Sequence, residues 1–201
     1  RLPPRSTPLP STKLFRSEGK HILVEKPILH EEFSKMKELE VRANKSNTYI
    51  YTAYNHRFEP HIKTLKEIID SKELGKLFLI RMYYGNGTAR LVKASEWRDT
   101  GLGVVSDLAP HLLDILAFFV EQGEMGNLSL RTFRFETNAP DHAVVQTRLN
   151  GIEVQLEMSL CMWRHSFYCD IIGDMGSAHI TSLCKWGPSS LILRKREFPS
   201  G

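Results

Sequence analysis

Asp107, His111 and Asp114 follow one another at steps of four and three residues, the spacing that lines side chains up along one edge of an α-helix. An imidazole accepts protons near neutral pH, and a carboxylate one turn earlier can hydrogen-bond and orient it. The triplet therefore suits general acid–base chemistry. Two other readings stand beside it: a three-ligand metal site, which has no further His or Cys cluster at zinc spacing to complete it, and a row of solvated helix-surface charges. A second candidate is Glu25-Lys26-Pro27, which closes the apolar run Ile22-Leu23-Val24. Proline confines Lys26 to extended conformations, so its ammonium is aimed, and the carboxyl end of a strand in an open α/β sheet is where ligands bind. The plain alternative is a solvated loop charge.

Two further segments could line the same chemistry. Tyr54-Asn55-His56-Arg57-Phe58-Glu59-Pro60 joins a strand to a helix, and Glu96-Trp97-Arg98 precedes Gly101-Leu102-Gly103, whose glycines permit a tight helix entry and close backbone approach to a ligand. Against these stand a capping role for His56, a surface ion pair for Arg57 and simple packing for Trp97.

The elements that must carry these groups are written in the apolar period. Residues 21–25 read as a short buried strand, residues 31–43 as a helix with Phe33, Met36, Glu40 and Ala43 on one face, and residues 48–53 as a β-branched and aromatic strand. A helix over 60–70 opens on a proline and turns Ile62, Leu65, Ile68 and Ile69 inward. Strand, helix, strand, helix is an α/β opening. After Gly75 the pattern changes to a long strand over 76–84, a loop rich in polar residues, and a helix over 103–120 with Val105, Leu108, Leu112, Ile115 and Phe119 as its packing stripe. Strands then follow over 128–136, 142–149, 152–160, 167–172, 178–181 and 190–194, with Asn150-Gly151 as a two-residue hairpin turn. The expected architecture is a large, mostly antiparallel sheet with helices on one face and the other face wet.

Composition narrows the class. With 41% hydrophobic and 25% charged residues in 201, the chain is built for a core. The net charge of +4 is scattered except at Arg194-Lys195-Arg196, so no clustered footprint for nucleic acid is expected. No apolar run approaches the roughly 18 residues of a membrane span, and no basic-then-apolar leader opens the chain. Cys161, Cys169 and Cys184, odd in number and without CxxC spacing, read as buried free thiols of a cytoplasmic protein. Residues 1–10 hold four of the ten prolines and no regular period, while 12–18 reads as a helix closed by Gly19. The first residue is not methionine, and a fragment is the expectation.

GKHILVEKP (19–27), YNHRFEP (54–60) followed by a helix and ELGKL (73–77), and EWR..GLGVVSDLAPHLLDIL (96–116) together resemble one family, Gfo/Idh/MocA, named for glucose–fructose oxidoreductase, inositol dehydrogenase and rhizopine catabolism. The resemblance covers about Gly19 to the end. It implies an oxidoreductase that moves hydride between a secondary hydroxyl of a sugar, inositol or related polyol and NAD or NADP. Residues 1–27 would be the end of a Rossmann dinucleotide-binding domain, and 28–201 a substrate and oligomerisation domain. Glu25, Lys26 and Pro27 would be the EKP motif facing the nicotinamide, with Lys26 on the reacting hydroxyl. His111 would be the general base, Asp107 its partner or a substrate ligand, and Asp114 structural. Arg57, Trp97 and Arg98 would contact substrate, and the wet face of the sheet would join subunits. No GxGxxG occurs in these residues. The chain would thus be the last Rossmann strand plus most of the substrate domain, or a non-catalytic binding protein that keeps the substrate domain alone.

Overall fold

In a computed structural model the described residues are 20–26, 33–121 and 123–199, and they fall into two compact units divided after Tyr54. The helix expected over 12–18, Pro27 and the side chains of Phe33 and Met36 lie outside the described residues. In the first unit β1 (Ile22–Val24) pairs in parallel with β2 (Ile50–Thr52), and α1 (Phe33–Lys45) comes between them in the chain. Ala43 is buried, whereas Glu40 stays exposed and takes no part in the packing face. Glu25 and Lys26 sit just past the carboxyl end of β1, the first exposed and the second half-buried.

The second unit is one sheet with helices on its inner face. α2 (Pro60–Asp70) begins with proline at its first turn, where no intrahelical N–H is lost, and buries Ile62 and Leu65. β3 (Leu77–Gly85) leads to α3 (Ala89–Lys93), a short helix where the sequence suggested only a polar loop. Asn86 explains it: its side-chain oxygen accepts from the backbone N–H and hydroxyl of Thr88 at 3.1 and 2.6 Å, folding the chain into a turn that the apolar period does not register. α4 (Val104–Phe119) carries the Asp107, His111 and Asp114 triplet. β4 (Ser129–Phe133), β5 (His142–Leu149), β6 (Ile152–Ser159), β7 (Ser166–Gly173), β8 (Gly176–Thr181) and β9 (Ser190–Lys195) complete the sheet in the order β4-β5-β6-β3-β7-β8-β9.

Every pairing in this seven-stranded sheet is antiparallel except β3 with β6, because β3 is inserted between two strands that come later in the chain. Asn150 and Gly151 both take positive φ (51° and 80°), as a two-residue turn between right-twisted strands requires. β4 is shorter than the run 128–136 suggests. The fully buried Asp141 carboxylate accepts the backbone N–H groups of Phe135, Glu136 and Thr137, with nearest contacts of 2.9, 2.6 and 3.0 Å, and bends the chain out of the ladder. Burial opposes its ionisation, yet these three donors hold the Asp141 carboxyl below the usual carboxylate range.

Alternation decides the two faces. Ile80, Met82 and Tyr84 of β3, Val154, Leu156 and Met158 of β6, and Phe167, Cys169 and Ile171 of β7 form one buried layer with Leu108, Leu112, Ile115 and Phe119 of α4. Val105, expected in that stripe, is only partly buried, and Val104 is fully buried in its place. The outer face carries a polar chain in which Arg81 and His179 both bind the Asp170 carboxylate at about 2.9 Å, and His179 in turn meets the Ser177 hydroxyl at 2.8 Å. Beside it a shallow groove of about 420 Å³ runs between Tyr83, Tyr168, Gln155 and Glu157. Among the cysteines Cys169 is buried and Cys161 partly so, but Cys184 is exposed, a correction to the expectation of three buried thiols. Cys184 lies on a 3-10 turn (Cys184–Trp186) outside the ladder, where no apolar period protects it.

Gly103 enters α4 at φ 51° and ψ −122°, and a Cβ there would strike the Pro140 carbonyl oxygen that already accepts from Val104 N–H at 2.7 Å. Gly101 also has positive φ but open space around it. Urea unfolding should therefore show Gly103→Ala losing at least ~2 kcal/mol and Gly101→Ala about 1 kcal/mol or less. Equal losses would contradict the backbone clash.

Candidate functional site

The site forms where three elements meet on the inner side of the second unit: the first half of α4, the end of β3, and the turn His56–Phe58 that leads into α2. His56 does not cap α2, since Glu59 holds the cap position and uses its carboxylate to accept the backbone N–H of Cys184 at 2.9 Å. The His56 ring instead turns inward. It lies 4.2 Å, centroid to centroid, from the ring of His111, and both side chains are buried.

Tyr84 closes a third side, edge-on to His56 at 5.3 Å and to His111 at 5.7 Å. Its inward position follows from strand alternation, which sends Tyr83 to the opposite face. Burial, and then the negative charge of Asp107, push the Tyr84 hydroxyl up to about 12, so it stays a neutral hydrogen-bonding group at physiological pH. Trp186 leans against Tyr84 at 5.4 Å, and His165 stacks on Trp186 at 4.7 Å. A row of rings thus runs from the buried His111 to the exposed His165.

The two carboxylates of the triplet are each held by an arginine. Arg98 donates from Nη2 to Oδ2 of Asp107 at 3.2 Å, with both side chains about one-third exposed. Arg57 donates from Nε to Oδ2 of Asp114 at 2.9 Å and from Nη2 to Oδ1, and its guanidinium also lies over the Phe118 ring at 5.3 Å. This fork-to-fork pair gives Asp114 the structural role the sequence suggested and ties Arg57 to it. Trp97 is largely exposed, with the Arg98 guanidinium 5.9 Å from its ring centre. The structure therefore gathers His56, Tyr84, Asp107, Arg98 and His111 into one neighbourhood and leaves Trp97 at its surface. Glu25 and Lys26 belong to the first unit.

Tyr84 and Trp186 are missing from the sequence reading. Tyr84 was legible as an inward position of β3, whereas Trp186 gives no local signal, since it is the last residue of a 3-10 turn between two strands. Among the described residues no group of three or more His, Cys, Asp or Glu is placed to hold a metal ion, and Asp114 is turned to Arg57. No helix among them is long and apolar enough to cross a membrane.

Comparison with known proteins fixes the family. A profile of the GFO/IDH/MocA C-terminal domain matches residues 62–179, more than half of the chain. The chain belongs to the GFO/IDH/MocA family. Among curated relatives, trans-1,2-dihydrobenzene-1,2-diol dehydrogenase of Oryctolagus cuniculus is 25% identical over 189 residues, covering 92% of this chain and 56% of the relative. Among solved structures, the WlbA dehydrogenase from Bordetella pertussis in complex with NADH and UDP-GlcNAcA aligns with a TM-score of 0.75 at 15% identity, over 92% of this chain and 54% of the other. An inositol dehydrogenase homologue from Azotobacter vinelandii, complexed with NADH and myo-inositol, aligns with a TM-score of 0.70 at 18% identity, over 90% and 51%. At these identities the structural likeness concerns the fold. The chain spans about half the length of the curated relatives it matches.

The Arg57–Asp114 pair holds the His56–Phe58 turn against α4, and the Asp114 side chain is only 6% exposed. Removing the guanidinium strands that carboxylate. Arg57→Gln is expected to cost about 3 kcal/mol in urea unfolding, whereas Arg98→Gln, at the half-open Asp107 pair, should cost under ~1 kcal/mol. A small loss at Arg57 would show that the pair is not what docks the turn.

Proposed function

We propose that the protein containing this chain is an NAD- or NADP-dependent dehydrogenase acting on a secondary hydroxyl of a ring-borne sugar, inositol or related polyol. The observation that carries this reading is His111: an imidazole packed against His56 and Tyr84, one helical turn after an arginine-held aspartate, on the domain that defines the family. The named relatives support the substrate class, since a cyclic vicinal diol, a nucleotide sugar and myo-inositol all present hydroxyls on a ring.

In this reading His111 takes the hydroxyl proton as the carbon beneath it is oxidised. Asp107, whose charge is shared with Arg98, accepts a hydrogen bond from a neighbouring substrate hydroxyl. Lys26 donates to the reacting oxygen, and Glu25 orients Lys26. Both follow the carboxyl end of a strand in a parallel pair, a position that suits a nicotinamide contact. The nicotinamide, when bound, supplies the hydride acceptor. Trp97 and Arg98 form the substrate's outer contacts. Arg57, bound to Asp114, acts by holding the turn that carries His56. The outer sheet face, with Tyr168 and Ile192 exposed on it, is the proposed subunit interface; light scattering that reports a monomeric full-length protein would remove that proposal.

The decisive experiment uses the full-length protein with NAD and NADP against a panel that includes myo-inositol and a trans-dihydrodiol. Lys26→Ala and His111→Ala should each lower kcat by about 10²–10⁴-fold with an unchanged circular dichroism spectrum. Near-normal turnover in both variants, or no reduction of either dinucleotide by the wild type with any ring alcohol, would defeat the reading.

A further inference from the structure

The proposed mechanism makes no use of the polar chain on the outer face of the sheet. Strand alternation turns Ser177 and His179 of β8 and Asp170 of β7 to that face, while Ala178, Ile180 and Ile171 enter the core. His179 stands directly across the ladder from Asp170, and its Nδ1 lies 2.8 Å from Asp170 Oδ1. Its Nε2 lies 2.8 Å from the Ser177 hydroxyl oxygen. Arg81 of β3 holds the other carboxylate oxygen, Oδ2, from Nη2 at 2.9 Å and from Nε at 3.2 Å.

These contacts fix the direction of each proton. Burial works against the Asp170 charge, but hydrogen bonds from His179 and Arg81 hold its carboxyl below the usual range, so near neutral pH it only accepts. Nδ1 of His179 therefore carries the hydrogen that points at Asp170. In the neutral ring Nε2 is then a lone pair, and the Ser177 hydroxyl donates to it. Carboxylate, imidazole and hydroxyl in this order make a serine nucleophilic: the first orients the ring, the ring takes the proton, and the oxygen attacks. The Asp170 and His179 side chains are 25% and 21% exposed, which shelters their hydrogen bond, and the half-buried Ser177 stands at the end of the relay.

The neighbouring strands set what this hydroxyl can meet. Ser177 pairs with Ile172 of β7 on one side and with Arg194 of β9 on the other. Side chains directly across an antiparallel ladder share a face with Cβ atoms about 5 Å apart, so the exposed Arg194 guanidinium can reach an oxygen on the carbon that Ser177 attacks. Ile192 faces His179 from β9 and brings no charge to the ring. One apolar side chain beside a half-open hydroxyl suits a short acyl group.

We infer that Ser177 and His179, with Asp170 positioning the ring, form a second catalytic centre that hydrolyses esters of short carboxylic acids. Ser177 Oγ bonds to the acyl carbon as its proton passes to His179 Nε2, and the carbonyl electron pair moves onto the oxygen beside Arg194. The bond to the leaving oxygen then breaks, His179 gives that oxygen the proton, and the alcohol departs. Water repeats the sequence on the acyl-serine and releases the carboxylic acid. No dinucleotide takes part, so the inference stands apart from the proposed dehydrogenase chemistry.

The test uses the full-length protein without dinucleotide, a fluorophosphonate probe and p-nitrophenyl acetate. Mass spectrometry of the wild type should place the phosphonate, and in acid-quenched samples the acetyl group, on Ser177. Acylation should slow as pH falls, because a protonated His179 cannot accept the serine proton. Ser177→Ala should abolish labelling of that peptide, His179→Gln should slow acylation by about 10²-fold or more, and Asp170→Asn, which frees the ring to take the other tautomer, by at least about 10-fold. Circular dichroism should be unchanged in all three, and the wild-type labelling and its pH profile decide the matter even where a variant fails to fold. A wild type whose Ser177 stays unlabelled by both reagents, whether the hydroxyl is inert or a neighbouring subunit covers it, overturns the inference. Labelling that continues at the wild-type rate in His179→Gln overturns it equally.

Discussion

The ion pair between Arg57 and Asp114 is the contact on which the geometry of this site depends. It joins residues 57 positions apart in the chain, and it is asymmetric: the carboxylate is almost wholly buried, while the guanidinium keeps an open flank and rests on Phe118. A buried carboxylate tolerates this only because a planar cation meets it with two parallel donors. The consequence reaches past the pair itself. The turn that carries Arg57 also carries His56, so docking the guanidinium on α4 brings a second imidazole against His111.

That arrangement separates positions which helical spacing along α4 makes look alike. Asp107, His111 and Asp114 share an edge of one helix, yet they face three different surroundings: a half-exposed arginine, a pocket of rings, and a buried arginine. Only the middle position is an imidazole packed among aromatic groups. The two aspartates on either side each bind an arginine, and the ring between them packs against two other rings.

The sheet beneath provides the rigidity. Inserting β3 between β6 and β7 puts Tyr84 at the centre of a seven-stranded surface, paired with Met158 on one side and Phe167 on the other. A side chain there has little freedom to move, since backbone ladders hold both flanks and the helix layer covers its face. The opposite face uses charge, with Asp170 shared between Arg81 and His179. Burial works against the Asp170 charge, but the His179 and Arg81 hydrogen bonds hold its carboxyl below the usual range.

Local periodicity was sufficient for much of this. Alternation in β6, the proline that opens α2, the Asn150-Gly151 turn and the stripe of α4 depend on side-chain directions within a few residues of chain, so their faces could be read directly from residue order. The motifs that point to the family are equally local. What stayed hidden were the partners: that Arg57 belongs to Asp114, that Arg98 belongs to Asp107, that α3 exists, and that His56 and Tyr84 meet His111 while Trp186 packs on those two rings. Each of these contacts except α3 and the Arg98 pair joins segments far apart in the chain, and no residue order encodes which distant side chain will fill a given space. Sequence alone determined which groups lie on each helical or strand face; tertiary packing decided which of those groups are buried together, because burial and pairing are properties of surfaces that meet only when the chain has closed on itself.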